Sequence, residues 1–362
     1  MIMSSSTGGG HDMRAYALMD WWKSYGGEAQ VCHPLEDGFF VYRMGTEFYN
    51  FIQRKIPRFH QLYFRFLEYA NLHRKPNRIL FPRHFTKEIS SFSPDLLVSV
   101  HAHLNHGFFE LSSQASRKPL KFAVYCGELG DGIGFSRHWI NPRADKFIGP
   151  FEETCNAAVS RGMPEKKVEA CGLLLRKPFF EMDNELMRVQ YLKEIGLNPK
   201  FPFLVLATGA NEVNVHEKVC RALFRENNPI QVVALCGSNK KLQAKLNHIQ
   251  VLALPKLDGQ EMAFLLRSAD CMLGRPGAGL TSEAVACGTP MIFDLTGGVM
   301  PQEENNLKFW TKRSANLLSI SKPSELPELL IREVPSIKIK LPENPRKLLF
   351  SLESLVINHG SK

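Results

Sequence analysis

Apolar residues in the first half of the chain come in short unbroken runs, at 95–101, 120–126 and 145–149, separated by loops or helix-length stretches. Continuous runs of this length, without polar alternation, predict strands covered on both faces, as in a parallel sheet flanked by helices. Met1-Ile2-Met3 predicts one more short strand. After it, Ser-Ser-Ser-Thr-Gly-Gly-Gly-His11 predicts a glycine loop feeding a helix, with Ala15, Leu18, Met19 and Trp22 on one face and Gly26-Gly27 as the stop. The second half repeats the rhythm, with strands expected at 202–207, 230–236, 249–254, 270–273 and 290–294 and helices near 212–226, 239–247, 260–268 and 280–287. The fold class this predicts is α/β, two doubly wound domains. A linker is expected over roughly 176–200, and a last helix near 344–358 could pack on either domain.

The chain's 362 residues agree with two cores, since single cores stop growing near about 250–300 residues. Eight cysteines lie mostly inside apolar runs, and no two form a CxxC pair. They read as small buried hydrophobes in a reducing compartment, which places the protein in the cytoplasm. No apolar run reaches the roughly 18–20 residues that span a bilayer, and the N-terminus lacks a basic region followed by an apolar core, so neither secretion nor membrane insertion is expected. The formal charge is +9, and residues 43–87 hold ten Lys/Arg against only Glu47 and Glu68. A basic chain invites a nucleic-acid reading, but no recognised module supports it and no nucleic-acid partner is expected.

The densest chemical signal is Gly274-Arg275-Pro276-Gly277-Ala278-Gly279-Leu280-Thr281-Ser282-Glu283, continuing through Gly288-Thr289-Pro290 to Pro301-Gln302-Glu303-Glu304-Asn305-Asn306. A glycine turn entering a helix leaves main-chain N–H groups unpaired, and the helix dipole favours negative charge there, which suits a diphosphate. One turn on, Glu283 can accept both hydroxyl hydrogens of a ribose. No Asp-x-Asp occurs to anchor a divalent ion, so no metal or other cofactor is expected.

This stretch resembles the donor signature of glycosyltransferase family 28, closest to the monogalactosyldiacylglycerol synthases and the processive diacylglycerol glucosyltransferases. Val233 to Leu242 and Cys171-Gly172-Leu173-Leu174-Leu175-Arg176 are similar to further family segments, and Thr7-Gly8-Gly9-Gly10-His11 to its TGGGH loop. The resemblance implies GT-B architecture, two Rossmann-like domains facing across a cleft: an acceptor domain over 1–175, a UDP-sugar domain over 176–342, and a C-terminal helix over 343–362 packing back. It implies that Glu283 holds the ribose, Gln302 and Glu303 the sugar hydroxyls with Asn306 behind them, and Arg176 the diphosphate, although Arg176 also reads as an ordinary linker arginine. Gly10, Gly209, Leu257, Gly277, Ala278 and Gly279 complete the donor contacts. His11 is the catalytic candidate, as general base or as an orienting group. His101, His103, Glu128 and Trp139 are the acceptor candidates. His101-Ala102-His103-Leu104-Asn105-His106 also has metal-like spacing, but lacks a further ligand set.

Between 48 and 70 aromatic residues interleave with basic ones, and positions 59, 62, 63, 66 and 70 fall at helical spacing. That pattern suits either a core helix with a basic outer face or contact with an anionic membrane surface, and the resemblance favours the membrane. The implied activity is inverting, metal-independent transfer of a hexose from a UDP-sugar to diacylglycerol, on the cytoplasmic face of a membrane. A polyprenyl-linked or soluble acceptor, or a non-hydrolysing UDP-sugar epimerase, remains open.

Overall fold

The chain is described from a computed structural model covering all residues except 8, 39, 56–64, 72, 182–183, 208–214, 226–229, 250, 315, 333, 339–343 and 358–362; the side chains of 49, 50 and 52–55 are also outside it. The unbroken apolar runs fold as parallel strands. In the first half these are β1 (Ile2–Met3), β2 (Val31–Cys32), β3 (Leu96–Ser99), β4 (Lys121–Tyr125), β5 (Lys146–Gly149) and β6 (Val168–Ala170), arranged β2-β1-β3-β4-β5-β6. In the second half β7 (Phe203–Ala207), β8 (Gln231–Leu235), β9 (Leu252–Leu254), β10 (Cys271–Gly274), β11 (Met291–Asp294) and β12 (Leu318–Ile320) are arranged β12-β11-β10-β7-β8-β9. All the strand pairings are parallel. Every residue of β3, β7, β10 and β11 is buried, as two-sided cover requires.

The pattern of runs missed three strands, β2, β6 and β12, and each lies at a sheet edge. They are two or three residues long and only partly buried, so they leave no apolar run to read.

Two compact units result: Met1–Arg176 together with the described chain from Asn344 on, and Lys177–Glu343. The C-terminal helix Arg346–Ile357 joins the first unit. It buries Leu348, Leu349 and Leu352, and Lys347 Nζ donates to Ala170 O at 2.6 Å while Ser351 Oγ donates to Glu169 at 2.7 Å. The stretch expected as a linker is not one. It carries the helix Glu185–Glu194, and Arg267 of the second unit donates to Pro178 O at 2.7 Å and Glu181 O at 3.1 Å.

The first helix, Gly10–Ser24, buries Ala15, Ala17, Leu18 and Trp21, so its inner face is turned slightly from the one expected. Trp21 rather than Trp22 faces the core, where its indole N–H donates to Leu175 O at 2.9 Å.

Candidate functional site

In the first unit the loop after β1 is held by two carboxylates. Asp12 accepts from Ser4 Oγ at 2.6 Å, Ser6 Oγ at 2.7 Å and His33 Nε2 at 3.0 Å. Burial alone would raise the Asp12 carboxyl, but these hydrogen bonds outweigh it and hold its pKa down to about 2. Glu36 accepts from Ser5 Oγ at 2.7 Å and from the Ser6 amide at 2.8 Å. The loop then turns through Gly9, at φ 72°, directly into the helix bearing His11.

His11 Nδ1 lies 2.7 Å from Val100 O. A carbonyl oxygen only accepts, so Nδ1 carries the proton and the basic lone pair sits on Nε2. Burial, with Arg14 nearby, lowers the pKa of His11 to about 4, leaving it neutral at physiological pH.

Three of the four acceptor candidates gather around it. His101 packs edge-on at 4.5 Å between ring centroids, and Trp139 lies at 6.1 Å. The Trp139 indole N–H donates to Glu128, whose carboxyl burial pushes up to about 7 against the opposing pull of Arg14 and that hydrogen bond. Arg14 Nη2 in turn donates to Gly127 O at 3.0 Å. A side chain at Gly127 would place Cβ 2.3 Å from the Arg14 guanidinium carbon, so any other residue there would push that guanidinium aside. His103 stands one ring further from His11, 5.7 Å from His101.

Of the rest of this cluster spacing revealed His106 but neither His138 nor His73. The His138 ring lies tilted 4.7 Å from His103, His73 lies 6.1 Å from His103, and His106 lies 6.4 Å from His138. Burial is the main cause lowering the pKa of His73 to about 4 and of His106 to about 3, and it lowers those of His101, His103 and His138 too. Among the described residues no group of three or more His, Cys, Asp or Glu is arranged to hold a metal ion. The imidazoles meet ring to ring rather than converging their nitrogens on a point.

The second unit places the glycine turn between β10 and the helix Ala278–Cys287. Gly277 is the N-terminal residue of that helix start, with φ −75° and no side-chain cap. A Cβ there would meet nothing within 4 Å. Neither backbone conformation nor packing requires glycine, and the open space before the unpaired amides of Ala278 and Gly279 is where an anion would lie. Glu283 is buried, 2% exposed, on the second turn of this helix, and Leu257 is 8% exposed in the loop after β9. Gly209 lies outside the described residues. Arg176 ends the first unit.

Of the acidic and amide group at the start of the helix Pro301–Thr311, Glu303 points inward to Arg275: Nε donates to Oε1 at 2.8 Å and Nη2 to Oε2 at 2.5 Å. Asn306 Nδ2 donates to Pro276 O at 2.9 Å. Gln302 Oε1, Asn306 Oδ1 and Ser282 Oγ are buried without hydrogen-bond partners among the described residues. Acceptors left open in this way suit the hydroxyls of a bound sugar.

The family model described as monogalactosyldiacylglycerol (MGDG) synthase matches residues 11–175. Monogalactosyldiacylglycerol synthase 1, chloroplastic, of Arabidopsis thaliana is 24% identical over 398 residues, covering 100% of this chain and 72% of that protein. The probable monogalactosyldiacylglycerol synthase of Nicotiana tabacum is 25% identical, covering 98% and 70%. The processive diacylglycerol beta-glucosyltransferase of Bacillus licheniformis is 30% identical over 187 residues, covering 50% of this chain and 47% of that one. Among solved structures, Anabaena Alr3699/HepE in complex with UDP-glucose aligns with TM-score 0.55 at 13% identity, covering 100% of this chain and 99% of its own. Acinetobacter baumannii MurG aligns with TM-score 0.56 at 15% identity, covering 98% of each. At these identities the structural likeness concerns the fold, which is GT-B: two parallel-sheet, Rossmann-like domains.

Proposed function

We propose, for a chain that is a glycosyltransferase similar to the monogalactosyldiacylglycerol synthases and their family 28 relatives, that it moves a hexose from a UDP-sugar to a lipid hydroxyl, with diacylglycerol as the acceptor. The diphosphate rests in the open space at Gly277, against the main-chain amides of Ala278 and Gly279 and against Arg176, the ribose against Glu283, and the hexose against Gln302 and Asn306. Gly10 and Leu257 complete the donor contacts among the described residues. His11 Nε2 takes the proton of the acceptor hydroxyl, whose oxygen bonds to the anomeric carbon as the bond to the UDP oxygen breaks on the opposite face. Configuration therefore inverts, and UDP leaves with the bonding electrons. Helix dipole and guanidinium supply the charge a metal ion would otherwise bring. His101, His103, Glu128 and Trp139 line the acceptor side.

The observation that carries this reading is the 2.7 Å contact between His11 Nδ1 and Val100 O. The Val100 carbonyl fixes the tautomer and leaves a neutral base at Nε2 in the segment matched by the synthase model.

Membrane contact fits the same reading. The helix Phe40–Lys55 exposes Phe40, Met44, Phe48 and Phe51, four residues on one face, by 50–59% each. Phe66 and Tyr69, in the segment marked by its aromatic and basic residues, are 59% and 78% exposed, while 56–64 lie outside the described residues. Among the described residues no helix is long and apolar enough to cross a membrane, so attachment would be peripheral, on the cytoplasmic face, at an anionic surface that the basic residues of 43–87 favour.

UDP release is the direct test, measured across UDP-sugars with diacylglycerol micelles, with and without chelator. Release that needs diacylglycerol and ignores chelator is expected. Loss of activity to chelator, restored by a divalent ion, would refute the metal-free step, and equal release without any acceptor would refute lipid transfer.

A further inference from the structure

Glu303 holds the position that the family resemblance gives to a sugar contact, yet both of its oxygens are engaged inside the protein. Arg275, 3% exposed, forms a bidentate pair with it. The same guanidinium donates from Nη1 to Thr296 O at 3.1 Å and from Nη2 to Gly298 O at 2.5 Å. Glu303 Oε2 also accepts the Met300 amide at 3.0 Å. One buried pair thus fastens three things together: the turn that opens at Gly277, the loop 295–300 and the first turn of the helix Pro301–Thr311.

That loop holds itself weakly, by the Gly298 amide donating to Leu295 O at 3.3 Å. Gly297 and Gly298 have φ of 78° and 97° and no side chains to pack. Its further tethers lie at one end: Asp294 accepts from the Thr296 amide at 2.9 Å and Thr296 Oγ1 at 2.6 Å, and the Leu295 amide donates to Ile320 O at 2.9 Å. Stability does not explain a buried ion pair, because an apolar pair of similar volume commonly holds a fold as well or better. Lysine could not replace the arginine, since four directed bonds from Nε, Nη1 and Nη2 need the planar fork.

We propose that Arg275 is a positioning residue for the sugar end of the donor: through Glu303 and loop 295–300 it aims the unpartnered Gln302 Oε1 at a hexose hydroxyl. Glu303 then acts on the sugar through this frame rather than by touching it. The proposal rests on the donor site assigned above, and two separate readouts keep the two apart.

The variant to make is Arg275→Met with Glu303→Leu, which removes both charges together and leaves neither stranded. Circular dichroism and melting check that it folds. Amide hydrogen exchange over 296–302 should quicken relative to the wild type. Calorimetry should show UDP affinity kept within about twofold, while the added affinity of UDP-glucose or UDP-galactose over UDP falls by roughly tenfold. Arg275→Lys should reproduce the loss. Unchanged exchange over 296–302 overturns the proposal whether or not any nucleotide binds, and wild-type protein that takes up no UDP overturns the donor site instead. Equal loss of UDP and UDP-sugar affinity also defeats the proposal, since the pair would then hold the diphosphate turn and not the sugar end. If Arg275→Lys keeps the sugar increment and Glu303→Gln loses it, Glu303 touches the sugar directly and the proposal falls.

Discussion

The chemistry-bearing regions of the two units handle charge in opposite ways. Around His11 burial works toward neutrality: six imidazoles pack ring to ring with lowered pKa values, and Glu128 is pushed up to about 7. At the glycine turn of the second unit, full charges stay buried, with Arg275 and Glu303 only 3% and 4% exposed and locked to one another. A neutral polar cluster accepts and passes a proton without repelling an uncharged acceptor. A turn rich in free amides, framed by a fixed ion pair, meets an anion at little cost of reorganisation. Under the proposed function, the contrast would assign proton handling to one unit and diphosphate holding to the other.

The sharpest way to break this division is His11→Ala. If the first unit supplies the base, turnover should fall by about 10²–10⁴-fold, the range for general-base catalysis, while UDP affinity measured by calorimetry stays the same. Undiminished turnover removes His11 from the chemistry, and a parallel loss of UDP affinity contradicts the division itself. The converse change is Gly277→Val. Open space around the missing Cβ and an ordinary φ mean the fold should absorb it with a change under about 1 kcal/mol in stability. Donor affinity should still drop by about 10–100-fold as the side chain fills the anion's place. A variant that melts normally and binds UDP normally would show that the helix start is not the diphosphate site.

A smaller effect tests what the neutral unit receives. Phe48→Ser with Phe51→Ser removes two half-exposed rings from the stripe on the helix Phe40–Lys55. Binding to vesicles containing anionic lipid should weaken by about tenfold or more, given roughly 1–2 kcal/mol for each inserted ring. Calorimetric UDP affinity should not change. Equal vesicle binding by wild type and variant would place the lipid contact elsewhere.

Legibility in the sequence followed how local each signal was. Eight strands announced themselves as unbroken apolar runs because both faces of each are covered, whereas β2, β6 and β12 bury too little to leave a pattern. The turn at 274–279 and the loop ending at His11 were readable because glycine spacing and a following helix are contiguous in the chain. The partners that tune them were not. Val100 fixes the tautomer of His11 from just past β3, 89 residues away, and Arg275 meets Glu303 28 residues on, a pairing that no spacing rule predicts. His73 and His138 join the cluster from separate loops, so the run His101 to His106 showed only half of it and suggested a metal geometry the rings do not form.

Acid should separate the two units by the smallest margin, and the sign follows from the histidines. His73 and His106 have folded pKa values of about 4 and about 3 against an ordinary 6.5. Above pH 6.5 neither folded nor unfolded chain binds protons at these rings, and their contribution to stability is complete. As pH falls below 6.5 the unfolded chain takes them up first, so stability drains away until the folded-state pKa values are reached, at about 1.4 kcal/mol per pH unit for each proton. Arg74 and Arg137 deepen the effect by opposing protonation of His106 and His138, while Glu68 opposes it at His138. The second unit carries one such group among the described residues, His216, with a pKa lowered to about 4 by burial although its ring bonds to Leu235 O. Asp12, held at about 2, becomes costly only below about pH 4, the far side of the same window. Between pH 6.5 and 4.5, the opening free energy from amide exchange, corrected for the intrinsic exchange rate at each pH, should therefore fall more steeply in 1–176 than in 177–343, and His73→Leu should flatten the slope in the first unit alone. Matching slopes in the two units would mean that the cluster is not the neutral, proton-excluding structure its packing implies.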